Sequence, residues 1–403
     1  MPLDEALARL LENAQPLRTE RVSTFEADGR VLAQDAVSAL TVPPRDNSAM
    51  DGYAVRATDC AQPGAVLSVA QRIPAGSVGT PLTAGSAARI FTGAQIPEGA
   101  DAVVMQEDTA PLDGDGLGRV RIEAPPTAGQ WIRRAGEDVA SGDVVLHRGE
   151  RLTPQALGLA ASIGMDTLEV SMRPRVALLS TGDELVMPGE VAPQDMKPGA
   201  IYNSNRFFMR ALLRRLGCEV TDLGIVPDKR EATIEALRQA VASNDLIVTT
   251  GGVSVGEEDH IKAAVQWLGT LELWSLSMKP GKPFAYGRIG DAHVCGLPGN
   301  PVSSFLTFLL LVRPFLLTLQ GANRVAPQPV PMRADFDWPK ADRRREFLRA
   351  QRNAAGGLDL FPNQSSGVLT STVWGDGVID TPAGQPFKTG DMVQFISFAS
   401  LLA

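Results

Sequence analysis

Cysteine and histidine are both scarce in this chain. The three cysteines, Cys60, Cys218 and Cys295, lie far apart, which excludes a C-x-x-C metal or redox motif and argues against a disulfide framework. We read them as reduced thiols packed in cores. The three histidines, His147, His260 and His293, form no H-E-x-x-H pattern. Basic charge is not in excess either. A formal net charge of −8 over 403 residues gives no reason to expect nucleic acid as a partner, so basic groups must act locally. A Walker A loop is missing, because Leu276 stands where Gly281-Lys282 would need an earlier glycine. Long apolar runs are missing too. The longest, Phe305 to Leu319, is interrupted by Arg313 and Pro314, and we expect it to be too short to span a bilayer. Asp4, Glu5 and Arg9 sit among the opening leucines, from which we expect no secretory signal, no membrane and a reducing, cytoplasmic setting.

The length suggests several domains, and 44% hydrophobic content suits ordinary globular cores. Leu3, Leu7, Leu10 and Leu11 recur at helical spacing. From Thr41 the texture changes to Pro, Asn, Asp and Gly, which predicts turns rather than regular structure around Pro43 to Ala54. From about Tyr53 to Val145 short β-like runs alternate with glycine and proline, as in Ala102–Met105 and Arg119–Ile122. From Arg175, apolar strands alternate with amphipathic helices, which implies a parallel α/β sheet with right-handed crossovers. A proline-rich linker near residues 321–331 leads to short alternating runs such as Met392–Ile396, which suggest a closing β-barrel. The expected fold is therefore α/β multidomain. Residues 1–46 with 146–173 make a helical N-terminal and linker domain, and 47–145 an inserted mostly-β domain. Residues 174–321 make the parallel α/β domain carrying the site, and 328–403 a C-terminal β-barrel.

The stretch from Leu246 to Phe308 organises the rest. It holds three glycine turns: Thr249–Gly256, Lys279-Pro-Gly-Lys-Pro283 and Gly296-Leu-Pro-Gly-Asn-Pro301. The first follows the β-branched run Asp245–Thr250, and the third precedes a helix for which Asn300 is a natural N-cap and Pro301 a natural first residue. Strand, glycine turn and helix N-terminus together offer free backbone N–H groups to an anion. Lys279 and Lys282 are cations that suit an oxyanion, while Glu257, Glu258 and Asp259 are carboxylates that suit Mg²⁺. Ligands in such sheets bind at the carboxyl ends of the strands, where Asp183, Gly251 and Gly296 all fall. These features point to a phosphate- or oxyanion-handling site.

Seven motifs in order then resemble one family. They are Asp46-Asn-Ser-Ala-Met-Asp-Gly-Tyr-Ala54, Thr92-Gly-Ala with Pro97–Val103, Ser180-Thr-Gly-Asp-Glu-Leu185, Asn203-Ser-Asn205, Gly251-Gly-Val-Ser-Val-Gly256, Met278–Pro283 and Gly296–Pro301. The chain from Thr41 to Ser366 is similar to molybdopterin molybdenumtransferases, the molybdenum insertases of molybdenum-cofactor biosynthesis, which are related to the E domain of gephyrin. The resemblance implies cleavage of adenylylated molybdopterin with loss of AMP, and insertion of molybdate into the dithiolene with Mg²⁺ as cofactor. Lys279 and Lys282 match the family's cationic pair, and Arg349 and Ser366 its C-terminal contributors to the oxyanion pocket. Asp259 with Glu257 is the candidate metal site, and Asp183 and Glu184 are further catalytic candidates. Gly251, Gly252, Ser254, Gly256, Pro283, Gly299 and Asn300 line the substrate. Asp51, Thr92 and Asp138 sit in the β region, which in this family faces the site of a second subunit, so a homodimer is expected. Contacts with the adenylylating enzyme and with acceptor molybdoenzymes are also implied. His260 departs from the pattern, since an aromatic residue such as tyrosine is expected there. Two other readings start from the same residues: a molybdopterin adenylyltransferase, usually a single α/β domain, and a molybdopterin-binding scaffold of the gephyrin type.

Overall fold

The computed structural model describes residues 1–113, 117–252 and 260–402. Helix α1 (Leu3–Leu11) is followed by β1 (Thr19–Ser23). A six-stranded sheet then forms from β2 (Gly52–Val55), β3 (Ala65–Ile73), β4 (Ser86–Ile90), β5 (Ala102–Met105), β6 (Thr109–Pro111) and β7 (Gly118–Ile122), in the order β5-β2-β4-β3-β7-β6. The turn-rich stretch thus contains a strand. Gly52 lets β2 run between β4 and β5, because a Cβ there would lie 1.9 Å from the Val104 carbonyl oxygen. Helix α2 (Pro154–Ser162), capped by the Thr153 hydroxyl, and β8 (Thr167–Ser171) follow, and β8 pairs back on β1. Their side chains share a small core that includes Leu32, Leu146, Leu152 and Val170.

The large sheet comprises β9 (Arg175–Thr181), β10 (Glu219–Val226), β11 (Leu246–Thr250), β12 (Thr270–Ser275), β14 (Pro283–Ile289) and β15 (Ala292–Leu297). Helices α3 (Ser204–Arg215), α4 (Arg230–Val241) and α5 (His260–Leu268) connect its strands, and β13 (Met278–Lys279) lies in the connection from β12 to β14. The order is β10-β9-β11-β15-β14-β12. Its first four strands pair in parallel and β12 runs the same way, but β14 is reversed, antiparallel to both β15 and β12, so the sheet is mixed rather than parallel as expected. The reason is local: β14 and β15 are joined by the two residues Gly290 and Asp291, with Gly290 at φ 59°, and a two-residue turn can only make an antiparallel hairpin.

The apolar run expected to be interrupted is instead one helix, α6 (Pro301–Leu319). By length and apolarity it is sufficient to cross a membrane, but 89% of its apolar window is buried inside the structure. Its middle, Phe308–Val312, is π-helical. Pro314 lacks an N–H and would press on the carbonyl four residues earlier, and a one-residue wider register next to it relieves that conflict. Arg313, mostly buried, donates to the carbonyls of Leu401 (2.6 Å) and Val325 (3.0 Å). Leu3 and Leu10 of α1 pack into the same core as α3, α6 and one face of the large sheet.

The C-terminal sheet is built from β13, β16 (Val330–Arg333), β17 (Arg345–Arg352), β18 (Leu358–Leu360), β19 (Gly377–Thr381) and β20 (Met392–Ser397), with helices α7 (Thr370–Trp374) and α8 (Phe398–Leu402). Its order is β13-β17-β19-β20-β16, with β18 on β17 and a bridge from Ala334, just after β16, to Leu358 in β18. The chain therefore leaves the large sheet after β12, adds β13 to the C-terminal sheet and returns to the large sheet at β14.

In β15, His293 is buried with Nδ1 2.8 Å from the Tyr286 hydroxyl and its ring against Phe315. Burial, with the nearby Arg288 charge, pushes its imidazole down to about 4, against a slight opposing effect of Asp245. In the unfolded chain it takes a proton near its ordinary 6.5. Between these values the unfolded state binds more protons, so the contribution is fully present above pH 6.5 and is lost as pH falls towards 4. Denaturant midpoints measured from pH 7 to 4.5 should converge between wild type and His293→Gln; a constant difference would contradict this.

Candidate functional site

The β-branched run of β11 is fully buried, and the paired positions Ser180, Thr250 and Leu297 bring the carboxyl ends of β9, β11 and β15 to one level. The expected convergence is present. Gly251 and Gly252 turn away from β11 with φ of 93° and 66°. A Cβ on Gly251 would lie 3.1 Å from the Thr181 carbonyl oxygen, and one on Gly252 2.8 Å from Ile261 Cγ1. Glycine is thus needed for both backbone angle and space. The Gly251 N–H donates to the Leu297 carbonyl at 3.1 Å, and a Cβ on Gly299 would lie 4.0 Å from Gly251 Cα. Asp183 and Glu184 are exposed at the end of β9 on the same rim. Ser254, Gly256, Glu257 and Asp259 lie outside the described residues. His260 is the first residue of α5. Among the described residues, no group of three or more His, Cys, Asp or Glu gathers as a metal site.

Asn300 stands at the N-cap of α6, but its side chain makes no capping bond, contrary to expectation; its carbonyl accepts from Ser304 N–H at 2.9 Å. Pro301 at the first helical position has no N–H, and the Val302 N–H is taken by the Ser366 carbonyl at 3.0 Å. That bond draws Ser366 to the start of α6. Asn205, beside the N-cap residue Asn203, donates to the Gly299 carbonyl at 2.8 Å and ties α3 to the same turn. Asn205 was missing from the expected site residues, although the motif Asn203-Ser-Asn205 contained it.

The two lysines are unlike each other. Lys279, in β13, has its Nζ 3.1 Å from Glu346 Oε1 and 3.4 Å from an Asp342 oxygen. Glu346 is buried, and its other oxygen accepts from Trp338 Nε1 and the Asp342 N–H. A hydrogen bond from the Arg344 side chain holds the Asp342 carboxyl well below the usual range, with Lys279 adding to the effect. Lys279 is therefore already paired, and its loss would leave a buried carboxylate without its cation. Lys282 is exposed; its carbonyl accepts from the Leu276 N–H at 2.7 Å, but its ammonium has no hydrogen bond or ion pair among the described residues. Between them Gly281 (φ 111°) sits against α6, where a Cβ would lie 2.6 Å from Thr307 Oγ1. Pro283 opens β14 opposite Ser275.

Arg349 supplies the remaining charge. Alternation along β17 sends Leu348 and Ala350 into the C-terminal sheet's own core, and Phe347 into the core shared with α6. Arg349 has the parity of Phe347. Its guanidinium donates to Ser371 Oγ (3.1 Å) and to the carbonyls of Phe347 and Ser365 (both 3.2 Å). Gln364 closes the arrangement by bonding both the N–H and the carbonyl of Arg349. Arg349 is 1% exposed, and no carboxylate pairs with it among the described residues. Burial lowers its pKa to about 10, so it stays charged near neutral pH. A buried cation satisfied only by neutral oxygens favours any anion that reaches it.

Among the described residues, no hydrogen bond brings Asp51, Thr92 or Asp138 to this rim. Asp51 Oδ1 accepts from both the N–H and the hydroxyl of Thr92 at 2.8 Å, which lowers the Asp51 pKa. The Asp138 N–H donates to the Val42 carbonyl. The rim itself joins Gly251, Gly299, Ser366 and Arg349 through bonds between their segments, and Gly281 places the lysine turn on α6. This arrangement suits a tetrahedral dianion. Molybdate at about 100 times its Kd should stabilise the wild type by about 2.7 kcal/mol in thermal melts, and Arg349→Met should lose most of that gain. Equal gains in both proteins would contradict the assignment.

Three family descriptions match the chain in sequence: MoeA N-terminal region (domain I and II) over residues 1–164, probable molybdopterin binding domain over 177–318, and MoeA C-terminal region (domain IV) over 331–398. A molybdopterin molybdenumtransferase of Haemophilus influenzae is 45% identical over 331 residues, covering 82% of this chain and 80% of its own length. One of Synechococcus elongatus is 37% identical, covering 94% of each. The crystal structure of the molybdopterin biosynthesis moeA protein of Pyrococcus horikoshii is 31% identical and superposes with a TM-score of 0.84, covering 99% of this chain and 100% of that one. With its N-terminal, molybdopterin-binding and C-terminal regions all matched, the chain belongs to the MoeA family of molybdopterin molybdenumtransferases.

Proposed function

We propose that this chain is a molybdenum insertase that cleaves adenylylated molybdopterin, releases AMP and places molybdate on the dithiolene. The observation that carries this reading is the buried Arg349, without a carboxylate partner among the described residues and held beside Ser366 and the first turn of α6. Family membership supplies the transferase class. In this reading Arg349, Lys282 and Ser366 hold molybdate as substrate, and Lys279 orders the turn through Glu346 and Asp342. The turns at Gly251, Gly252, Gly299 and Asn300 present backbone to the phosphates, with Ser254 and Gly256 completing the first turn and Pro283 fixing the exit of the lysine turn. Cleaving the phosphate link needs fixed positive charge at the phosphoryl oxygens, and the rim's cations supply it.

Mg²⁺ asks for one or two carboxylates, with the remaining ligands from phosphate and water. Asp183 and Glu184, exposed together at the rim, fit that donor chemistry, and Asp259 with Glu257 would add to it. A bound Mg²⁺ would neutralise charge on the phosphate oxygens. Asp51 and Thr92, bonded to each other, and Asp138, bonded to Val42, are assigned to the cleft of a second subunit, so the working form is a homodimer. We further assign the protein to the cytoplasm, where it would meet the adenylylating enzyme and acceptor molybdoenzymes.

AMP release from adenylylated molybdopterin, followed with and without molybdate and Mg²⁺, tests this reading; the wild type should require both. Lys282→Ala should lower turnover about 100-fold, the order expected when one donor to a developing oxyanion is removed, while the melting temperature stays unchanged. Lys279→Ala should lower stability as well, because it strands Glu346. Full turnover in Lys282→Ala would reject the role of that lysine, and release independent of molybdate would reject the insertase.

A further inference from the structure

An aromatic cleft adjoins the rim on its α3 and α6 side. It has a volume of about 490 Å³, and its walls include Tyr202, Phe207, Phe208, Phe305, Leu369 and Val373. Among the described residues, no charged side chain lines it. Phe208 and Phe305 meet edge to face with centroids 5.8 Å apart, while Phe207 is 54% exposed and Val373 84% exposed. Ring surface left open on this scale has no partner among the described residues.

The position of the cleft follows from the helices. Ser204 and Pro301 are the first residues of α3 and α6, and both helices start at the rim. Phe208 and Phe305 each follow by four residues, which places them about 6 Å along the helix axes. Helical side chains lean back towards the N-terminus, which here means towards the rim. The remaining wall continues the segment that carries Ser366, since Leu369 is three residues on and leads into α7. The cleft and the segments that hold Arg349 therefore share the start of α6 and the 363–369 segment.

We propose that this cleft is the subsite for a planar heterocycle of the substrate, stacked on Phe207 with its phosphate directed to the rim. The inference rests on the insertase reading, whose substrate carries two such rings, a pterin and an adenine. An uncharged aromatic slot beside a cationic pocket matches a flat ring joined to a phosphate. It also accounts for an exposed phenylalanine next to a polar rim.

The test measures the binding of AMP, molybdopterin and molybdate separately to the full chain. Phe207→Ala should weaken one of the two ring-bearing ligands about five- to tenfold, the lower end for stacking on an aromatic side chain. Molybdate affinity should not change. Phe207→Tyr should retain affinity, and Val373→Glu, which puts a carboxylate at the mouth, should reproduce the loss. Selective loss of AMP would assign the adenine, and selective loss of molybdopterin the pterin. Unchanged affinity for both in Phe207→Ala would overturn the subsite while leaving the insertase reading intact. A wild type that binds neither ligand would overturn both.

Discussion

The site depends on a two-residue ladder. Met278 and Lys279 pair with Arg345 and Glu346, and through that short parallel contact the chain enters the C-terminal sheet before returning to the large sheet at Pro283. The same excursion positions the lysine turn against α6 and brings β17, with Arg349, up to the core of the large sheet. Phe347, Val378 and Ile396 then bury their side chains with α6 and β15. Hydrophobic burial supplies the free energy of this junction, and the Lys279–Glu346 contact fixes its register. Remote parts of the chain thus meet at one rim because two sheets share a connection.

Charge is used sparingly and in distinct ways. The chain is acidic overall, yet three cations gather near the rim with different degrees of freedom. Lys279 is committed to structure by two carboxylates, and Arg349 is buried and held by neutral oxygens. Lys282 is exposed, its ammonium without a partner among the described residues. A pocket of this kind is preorganised, because Arg349 already carries the cost of desolvation and its geometry is set by Ser371, Ser365 and Gln364. The exposed lysine and the glycine turns are left to adapt to the incoming ligand.

The sequence made the parallel half of the large sheet legible, because its buried strands are β-branched runs closed by glycine turns, a pattern with few alternatives. The reversed strand β14 was missed. Its signal was the two-residue turn at Gly290-Asp291, outweighed by the preceding strand–helix alternation. Helix α6 was misjudged for a related reason: Pro314 reads as a stop, and the π-helical stretch that accommodates it has no signature in composition. Among the site residues, Gly251, Gly252 and Gly299 follow from turn chemistry. The different roles of Lys279 and Lys282 do not, because Glu346 and Asp342 are more than 60 residues away in sequence. Arg349 came from family resemblance, and its burial depends on strand parity. The aromatic cleft was unforeseen, since its rings come from separate helices and look like ordinary core residues along the chain.

The central claim is that these segments form one oxyanion pocket. The most direct measurement is a crystal of the full chain soaked in molybdate, with anomalous scattering collected at the molybdenum edge. The account predicts a peak within hydrogen-bonding reach of Arg349 and Lys282, beside Ser366 and the first turn of α6. A molybdenum atom bound elsewhere, with Arg349 still enclosed by neutral oxygens alone, would contradict it.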